Sequence, residues 1–282
     1  MGRVWAPYVS SICPEVSQLF QTHFRDVSKG VLVGRGRVRR HGCAQSLVND
    51  CETRRRDINE METVLDVPAD PARRSWRSGF PAGFLGSYHQ GVRDYTYRGV
   101  SCLKSPVDLS LYLKLLFELS PGTLIEIGAH HGGSALFFAD QCRAMGLATR
   151  IISVDAHDRR QVQDPRVEFF RADARDLSTS PVADLGAFVR PLLVIEDSAH
   201  TPPVSASVLE FFHTRMAAED VIVVEDGILT ELGLSEQFHG GPAPAIARFL
   251  ERHPGDYRLM TEYMDFFGTN VTYSPNGWLQ RL

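Results

Sequence analysis

Two short runs carry the densest chemistry in this sequence: Ile195-Glu196-Asp197-Ser198-Ala199-His200 and Val224-Glu225-Asp226-Gly227. Each closes an apolar run that reads as a β-strand, and adjacent parallel strands would bring Asp197, Glu225 and Asp226 into one cleft. Carboxylates that close resist ionising together unless a cation neutralises them. Oxygen ligands call for a hard divalent ion, and Mg²⁺ fits because it keeps water positions open for a substrate oxygen. His200 stands three residues beyond Asp197. An alcohol is a poor nucleophile near neutral pH, so an ion that acidifies it and an imidazole that takes its proton serve complementary needs. Any one of these acids alone reads better as a cap or a surface ion pair, and a lone histidine as a structural hydrogen-bonder. The set, at these positions, reads as a site.

A second constellation follows an earlier apolar run: Glu126-Ile127-Gly128-Ala129-His130-His131-Gly132-Gly133-Ser134. Its glycines allow a tight turn and close approach to a ligand, and the helix that follows offers free N–H groups. It is not GxGxxG, which argues against a dinucleotide pyrophosphate. The spacing Glu126-x-Gly128-x-x-x-Gly132 instead resembles the first motif of S-adenosylmethionine methyltransferases, where the loop wraps the methionine half of the cofactor. Asp155, ending the next apolar run, is placed to accept both ribose hydroxyls. Asp173, after the run beyond that, is placed near an adenine amine. Singly these acids read as solvated loop residues; at successive strand ends they favour a nucleoside.

The elements that must position these residues follow from the apolar pattern. Strands are expected at 123–127, 150–154, 167–170, 191–195 and 221–224, with helices from Ser105-Pro106, over 134–145, 203–216 and 243–252, and two final strands within 257–273 around Asp265-Phe266-Phe267-Gly268. Apolar runs of four or five residues alternating with helices describe parallel strands buried on both faces. The expected fold is therefore α/β and Rossmann-like: a mostly parallel, doubly wound, seven-stranded sheet whose ligands lie at the strands' carboxyl ends. Upstream, 46–65 reads as one helix. Residues 66–105, rich in Pro, Gly and aromatics, read as a lid loop. The expected organisation is a basic N-terminal extension over 1–44, a helical and aromatic lid region over 45–105, and a catalytic domain over 106–282.

Composition sets the bounds. With 282 residues and 43% hydrophobic content, the chain supports one large core and an appended segment. The net charge of −4 gives no general reason to expect nucleic acid or membranes, although residues 1–44 carry +5 and leave −9 for the rest. The basic run Arg35, Arg37, Arg39 and Arg40 reads as a solvated arm. Five cysteines, Cys13, Cys43, Cys51, Cys102 and Cys142, lack zinc-ligand spacing and read as reduced thiols. Neither a signal-peptide h-region nor an apolar run of about 18 residues is visible, so the expected location is the cytoplasm.

Taken together, the motifs resemble the cephalosporin hydroxylase / rhamnosyl O-methyltransferase family, similar in its catalytic domain to macrolide sugar O-methyltransferases. The resemblance runs from about Tyr97 to Leu282. It is carried by Tyr97 through Pro106 (YRGVSCLKSP), Ile125 through Ser134, Asp197-Ser198-x-His200-Thr201, Val224-Glu225-Asp226 and Ser274-Pro275-Asn276-Gly277-Trp278-Leu279-x-Arg281. It implies a class I S-adenosylmethionine-dependent O-methyltransferase with the cofactor on the Gly128 loop, contacted by Glu126, Ala129, His130 and Gly132. Ser134 and Lys104 would help hold its methionine end. Mg²⁺ would sit on Asp197, Glu225 and Asp226, with His200 as general base. The acceptor would be a hydroxylated small molecule such as a glycoside, and the assembly a homo-oligomer. Two departures stand out: Glu196 occupies a usually apolar position, and residues 1–60 match nothing in the family. Two rival readings are a non-catalytic cofactor-binding partner of a tailoring oxygenase, which would have little use for the acids and His200, and a nucleotidyl transferase, which the lack of a P-loop disfavours.

Overall fold

The computed structural model describes residues 73–282. The basic extension over 1–44 and the helix expected over 46–65 lie outside the described residues. The described chain opens with helix α1 (Ala82–Asp94), a hairpin of β1 (Thr96–Tyr97) and β2 (Val100–Ser101), and helix α2 (Pro106–Leu119). The α/β alternation follows: β3 (Thr123–Ile127), α3 (Gly133–Ala144), β4 (Arg150–Asp155), β5 (Val167–Arg171), β6 (Leu192–Glu196), α4 (Pro202–His213), β7 (Val221–Val224), α5 (Ala243–Arg252), β8 (Tyr257–Leu259), α6 (Thr261–Met264) and β9 (Trp278–Arg281).

The expected seven-stranded sheet is present, in the order β5-β4-β3-β6-β7-β9-β8. Strands β3 to β7 pair in parallel, and β9 runs antiparallel between β7 and β8. The apolar runs explain it: every residue of β3, β6 and β7 is buried, including Leu124, Ile125, Val194, Ile195, Ile222 and Val223, as strands covered by helices on both faces must be. Because β3 and β6 are neighbours with Ile127 opposite Glu196, the Gly128 loop and Asp197 leave the sheet side by side. Pairing of β6 with β7 then sets Glu225 and Asp226 next to Asp197.

Helix boundaries obey local chemistry. Ser105 caps α2 by accepting from the Asp108 amide, with Pro106 in the first turn, where its missing N–H costs nothing. Two stretches differ from the sequence expectation. Residues 257–273 do not form two strands: β8 is followed by α6, and the last strand is 278–281. Tyr263 stacks on Trp278, with centroids 5.5 Å apart, and Asp265 accepts from both Arg74 and the Asn270 amide, which turns the chain before it can re-enter the sheet. Within 66–105, the described part is not a loop throughout, because α1 buries Leu85 and Val92 against a small cluster containing Phe80, Ile228 and Tyr273. Among the described residues no helix is long and apolar enough to cross a membrane, and Cys102 and Cys142 are buried free thiols.

Candidate active site

The Gly128 loop is shaped by what it must pass. Gly128 has φ +115°, and a Cβ there would lie 2.0 Å from the Asp197 carbonyl oxygen, so only glycine lets the loop cross the end of β6. Gly133 is equally constrained, since its Cβ would meet the Ser101 carbonyl oxygen at 2.2 Å. Asp155 fixes the other side: its carboxylate accepts from the His130 amide at 2.9 Å and from the His157 amide at 2.8 Å. A cavity of about 650 Å³ opens at these strand ends, and Ala129, His130, Ser134, Asp155, Asp197 and His200 are among the residues that line it. Asp173 also lines it, but its carboxylate is taken by Arg175, which holds it down to about 2. Gly132 faces a smaller recess beside the cavity.

Three residues expected at the ligand sit beneath the cavity wall instead. Lys104, 1% exposed, places its ammonium 2.6 Å from Asp197 Oδ2, 2.8 Å from Glu225 Oε1 and 3.6 Å from Glu126 Oε1. Tyr112 donates to the same Glu225 oxygen at 2.5 Å. Glu126 is fully buried, accepting from the Ser153 hydroxyl at 3.3 Å, and Oε1 has no hydrogen-bond donor. Burial favours the protonated form of Glu225 and Asp197 adds to this, while Lys104 opposes both. Lys104 thus touches carboxylates at the base of the site, and the structure gives it no face on the cavity.

One wall of the cavity carries Asp197, His200 and Asp226. Their donor atoms all lie within 4.8 Å of one another, with His200 Nε2 3.3 Å from Asp226 Oδ2 and 4.0 Å from Asp197 Oδ1. Both His200 (φ 54°) and Asp226 (φ 61°) adopt the left-handed backbone region that turns each strand end toward the cavity. Burial alone would lower the His200 imidazole, but Asp226, Asp197 and Glu196 outweigh it and the net shift is upward. Glu196 does not line the cavity. It turns inward, accepting from the Ser198 amide and from the Ser198 and Ser205 hydroxyls, each at 3.1 Å, and so orders the β6–α4 turn.

Among the described residues, the site therefore gathers Glu126, Asp197 and Glu225 around the Lys104 ammonium, with Asp226 alongside at His200. That excess of negative charge, with two carboxylates and an imidazole facing open space, suits a divalent cation. Sequence reasoning missed two participants, Lys104 as buried counter-ion and Tyr112 as donor to Glu225. Tyr112 lies on the apolar face of α2, where a tyrosine reads as core, and nothing local reveals its partner.

A sheet in this order, with one antiparallel strand next to the edge and a glycine loop bordering a cavity after β3, is that of a class I S-adenosylmethionine-dependent methyltransferase. Residues 89–282 match the family model described as Rhamnosyl O-methyltransferase/CmcI, and the chain belongs to that family. It is 31% identical over 192 residues to a rhamnosyl O-methyltransferase of Mycobacterium tuberculosis (strain H37Rv), covering 66% of this chain and 78% of that protein. It is likewise 31% identical over 195 residues to one from Mycobacterium leprae, covering 66% and 82%. The solved Mg–SAM structure of CmcI superposes with a TM-score of 0.54 at 24% identity, over 67% of this chain and 77% of that one, a likeness of fold. The protein is accordingly an S-adenosylmethionine-dependent O-methyltransferase.

Proposed function

We propose that this enzyme methylates a hydroxyl of a sugar moiety on a natural product or glycolipid and that it needs Mg²⁺ to do so. The observation that carries the reading is the convergence of Asp197, His200 and Asp226 on the wall of the cavity that the Gly128 loop borders. Asp197 and Asp226 would hold the ion, with Glu225 completing the acidic set from below. When bound, Mg²⁺ would polarise the acceptor oxygen and offset the carboxylate field that now favours protonated His200. His200 Nε2 would take the hydroxyl proton, and the methyl would pass from sulfur to the acceptor oxygen with S-adenosylhomocysteine as the leaving group. The Gly128 loop and Asp155 would hold the methyl donor in the cavity beside this wall, so that binding would already meet the entropy of bringing two reactants together. A sugar acceptor is supported by the rhamnosyl O-methyltransferases this chain resembles. Vicinal diols suit a site with one ion and one base, because the neighbouring hydroxyl offers a second oxygen.

The test is methyl transfer from labelled S-adenosylmethionine to a panel of rhamnosyl glycosides, other deoxyhexosyl glycosides and a catechol. Turnover is expected on a glycoside and not on the catechol. His200→Ala should lower kcat by about 10²- to 10⁴-fold, the range of general-base catalysis, with little change in the affinity for S-adenosylhomocysteine. Turnover on the catechol alone would overturn the sugar assignment, and an unimpaired His200→Ala enzyme would remove the histidine from the chemistry.

A further inference from the structure

At the opposite end of the sheet lies a second cluster that methyl transfer does not use. His213 ends α4, His253 caps the carboxyl end of α5, and Asp256 immediately precedes β8. Tyr257 pairs with Arg281, and Val221, the first residue of β7, pairs with Gln280, so these residues gather at the amino ends of the parallel strands. The two imidazole rings lie 3.8 Å apart, centroid to centroid. His213 Nε2 is 3.9 Å and His253 Nδ1 4.0 Å from the same Asp256 Oδ2, and the three donor atoms all fall within 4.8 Å of one another. Among the described residues, this and the catalytic trio are the two groups of this kind.

We propose that His213, His253 and Asp256 form a second, structural metal site that takes Zn²⁺ or a similar borderline transition ion. The geometry of the trio and the outer nitrogen of His253 carry the argument. His253 Nε2 lies 3.2 Å from Glu210 Oε2, a carboxylate that can only accept, so the ring proton sits there and the Nδ1 lone pair faces inward. His213 Nδ1 lies 3.2 Å from the Tyr257 hydroxyl and 3.4 Å from Arg281 Nη1, which can only donate; an ion on Nε2 would move the ring proton to Nδ1, where the hydroxyl can accept it, and would displace the Arg281 contact. A ligating histidine whose far nitrogen is held by a carboxylate is the usual second layer of a zinc site. Tetrahedral arms of about 2.0–2.1 Å separate ligand atoms by roughly 3.4 Å, so small rotations of these three side chains close the present gaps. Two nitrogens and one oxygen favour zinc over magnesium, whereas the catalytic trio is richer in oxygen. One competitor is present: Arg281 Nη1 holds Asp256 Oδ2 at 2.9 Å and stands 3.4 Å from His213 Nδ1. The ion would share that carboxylate with Arg281, leave a fourth position to water, and pin α4, α5 and β8 together.

The experiment uses the full chain carrying Asp197→Asn and Asp226→Asn, which removes the catalytic donors, and titrates Zn²⁺ by calorimetry while following the melting temperature. One zinc per chain and a raised Tm are expected. His253→Gln or Asp256→Asn should abolish binding, and Glu210→Gln should weaken it about 10- to 100-fold, the usual effect of losing such a partner. Co²⁺ added to the otherwise native chain gives an independent readout, an intense visible absorption of a tetrahedral nitrogen-containing site that His253→Gln removes. His253→Gln in the native chain should leave methyl transfer with Mg²⁺ unchanged. The proposal is overturned if the double variant binds no zinc, if binding survives both His253→Gln and Asp256→Asn, or if the Co²⁺ spectrum shows only octahedral coordination.

Discussion

The residue on which the site's electrostatics turns is Lys104. Its ammonium is enclosed by Asp197, Glu225 and Glu126 and hidden from solvent. Breaking a buried ion pair from one side leaves the other charge unpaired, which costs about 3–5 kcal/mol. Lys104→Met, close in length and uncharged, should therefore lower unfolding free energy by about that amount in urea titrations at pH 7. A loss below about 1 kcal/mol would mean that Glu225 and Glu126 go protonated and need no counter-ion. The residue scale also marks what a sequence can reveal. Asp197, His200, Glu225 and Asp226 were legible because each stands one to four residues past an apolar strand. The orientation of Glu225 toward Lys104 and Tyr112 was not, because it depends on the side chain of a helix that packs from far along the chain. Glu196 was flagged for its polarity, and its inward hydrogen bonds with Ser198 and Ser205 explain how a carboxylate is tolerated there.

At the scale of elements, the strands that hold the site and β8 fell within the expected spans, whereas the last strand, β9, did not. Strands β3, β4, β6 and β7 announce themselves by continuous apolar runs that burial on both faces requires. Strand β9 does not, since Trp278-Leu279-Gln280-Arg281 alternates less clearly and owes its place to pairing with β7 and β8. Helix α1 was hidden by its glycines, Gly83, Gly86 and Gly91, and is held by tertiary contacts rather than by propensity. Helix α2 is tied to the carboxyl-terminal loop by Asp108, whose buried carboxylate accepts from the Thr272 hydroxyl and from the Tyr273 amide at 2.9 Å. Burial pushes Asp108 up to about 6 from an ordinary 3.8. Its folded pKa is the higher one, so the folded state holds the proton more tightly between pH 4 and 6. The associated stability is complete below about pH 4 and is lost as pH rises through 6, about 3 kcal/mol in all. Asp108→Asn can keep the Tyr273 bond and donate to Thr272, so its stability relative to the native chain should improve from pH 4.5 to pH 7. A pH-independent difference in urea midpoints would show that Asp108 does not titrate in this window.

For the whole molecule, the sheet places two features at one end: a cavity of about 650 Å³ beside the Gly128 loop and the acidic residues on its wall. The segment before α1 is fastened across the fold by Arg74, which pairs with Asp265 at 2.8 Å and donates to Asn276 and Asn270. Because the cavity is built from the ends of β3, β4 and β6, a ligand that fills it binds only the folded chain and must stabilise the molecule as a unit. S-adenosylhomocysteine at about 100 times its Kd should add about 2.7 kcal/mol to unfolding free energy, read as a single cooperative rise in Tm. Loss of that rise in Gly128→Ala, whose Cβ has no room beside Asp197, would tie the effect to the loop. An unchanged Tm in the native chain would place the cofactor elsewhere.

The central claim is that methyl transfer runs through a divalent ion on Asp197 and Asp226, and the most direct measurement is the initial rate against free Mg²⁺ after exhaustive chelation. The rate is expected to fall to background in EDTA, recover saturably with Mg²⁺, and stay low at every concentration in Asp197→Asn. Full turnover in EDTA, or an Asp197→Asn enzyme as fast as the native one, would contradict the account.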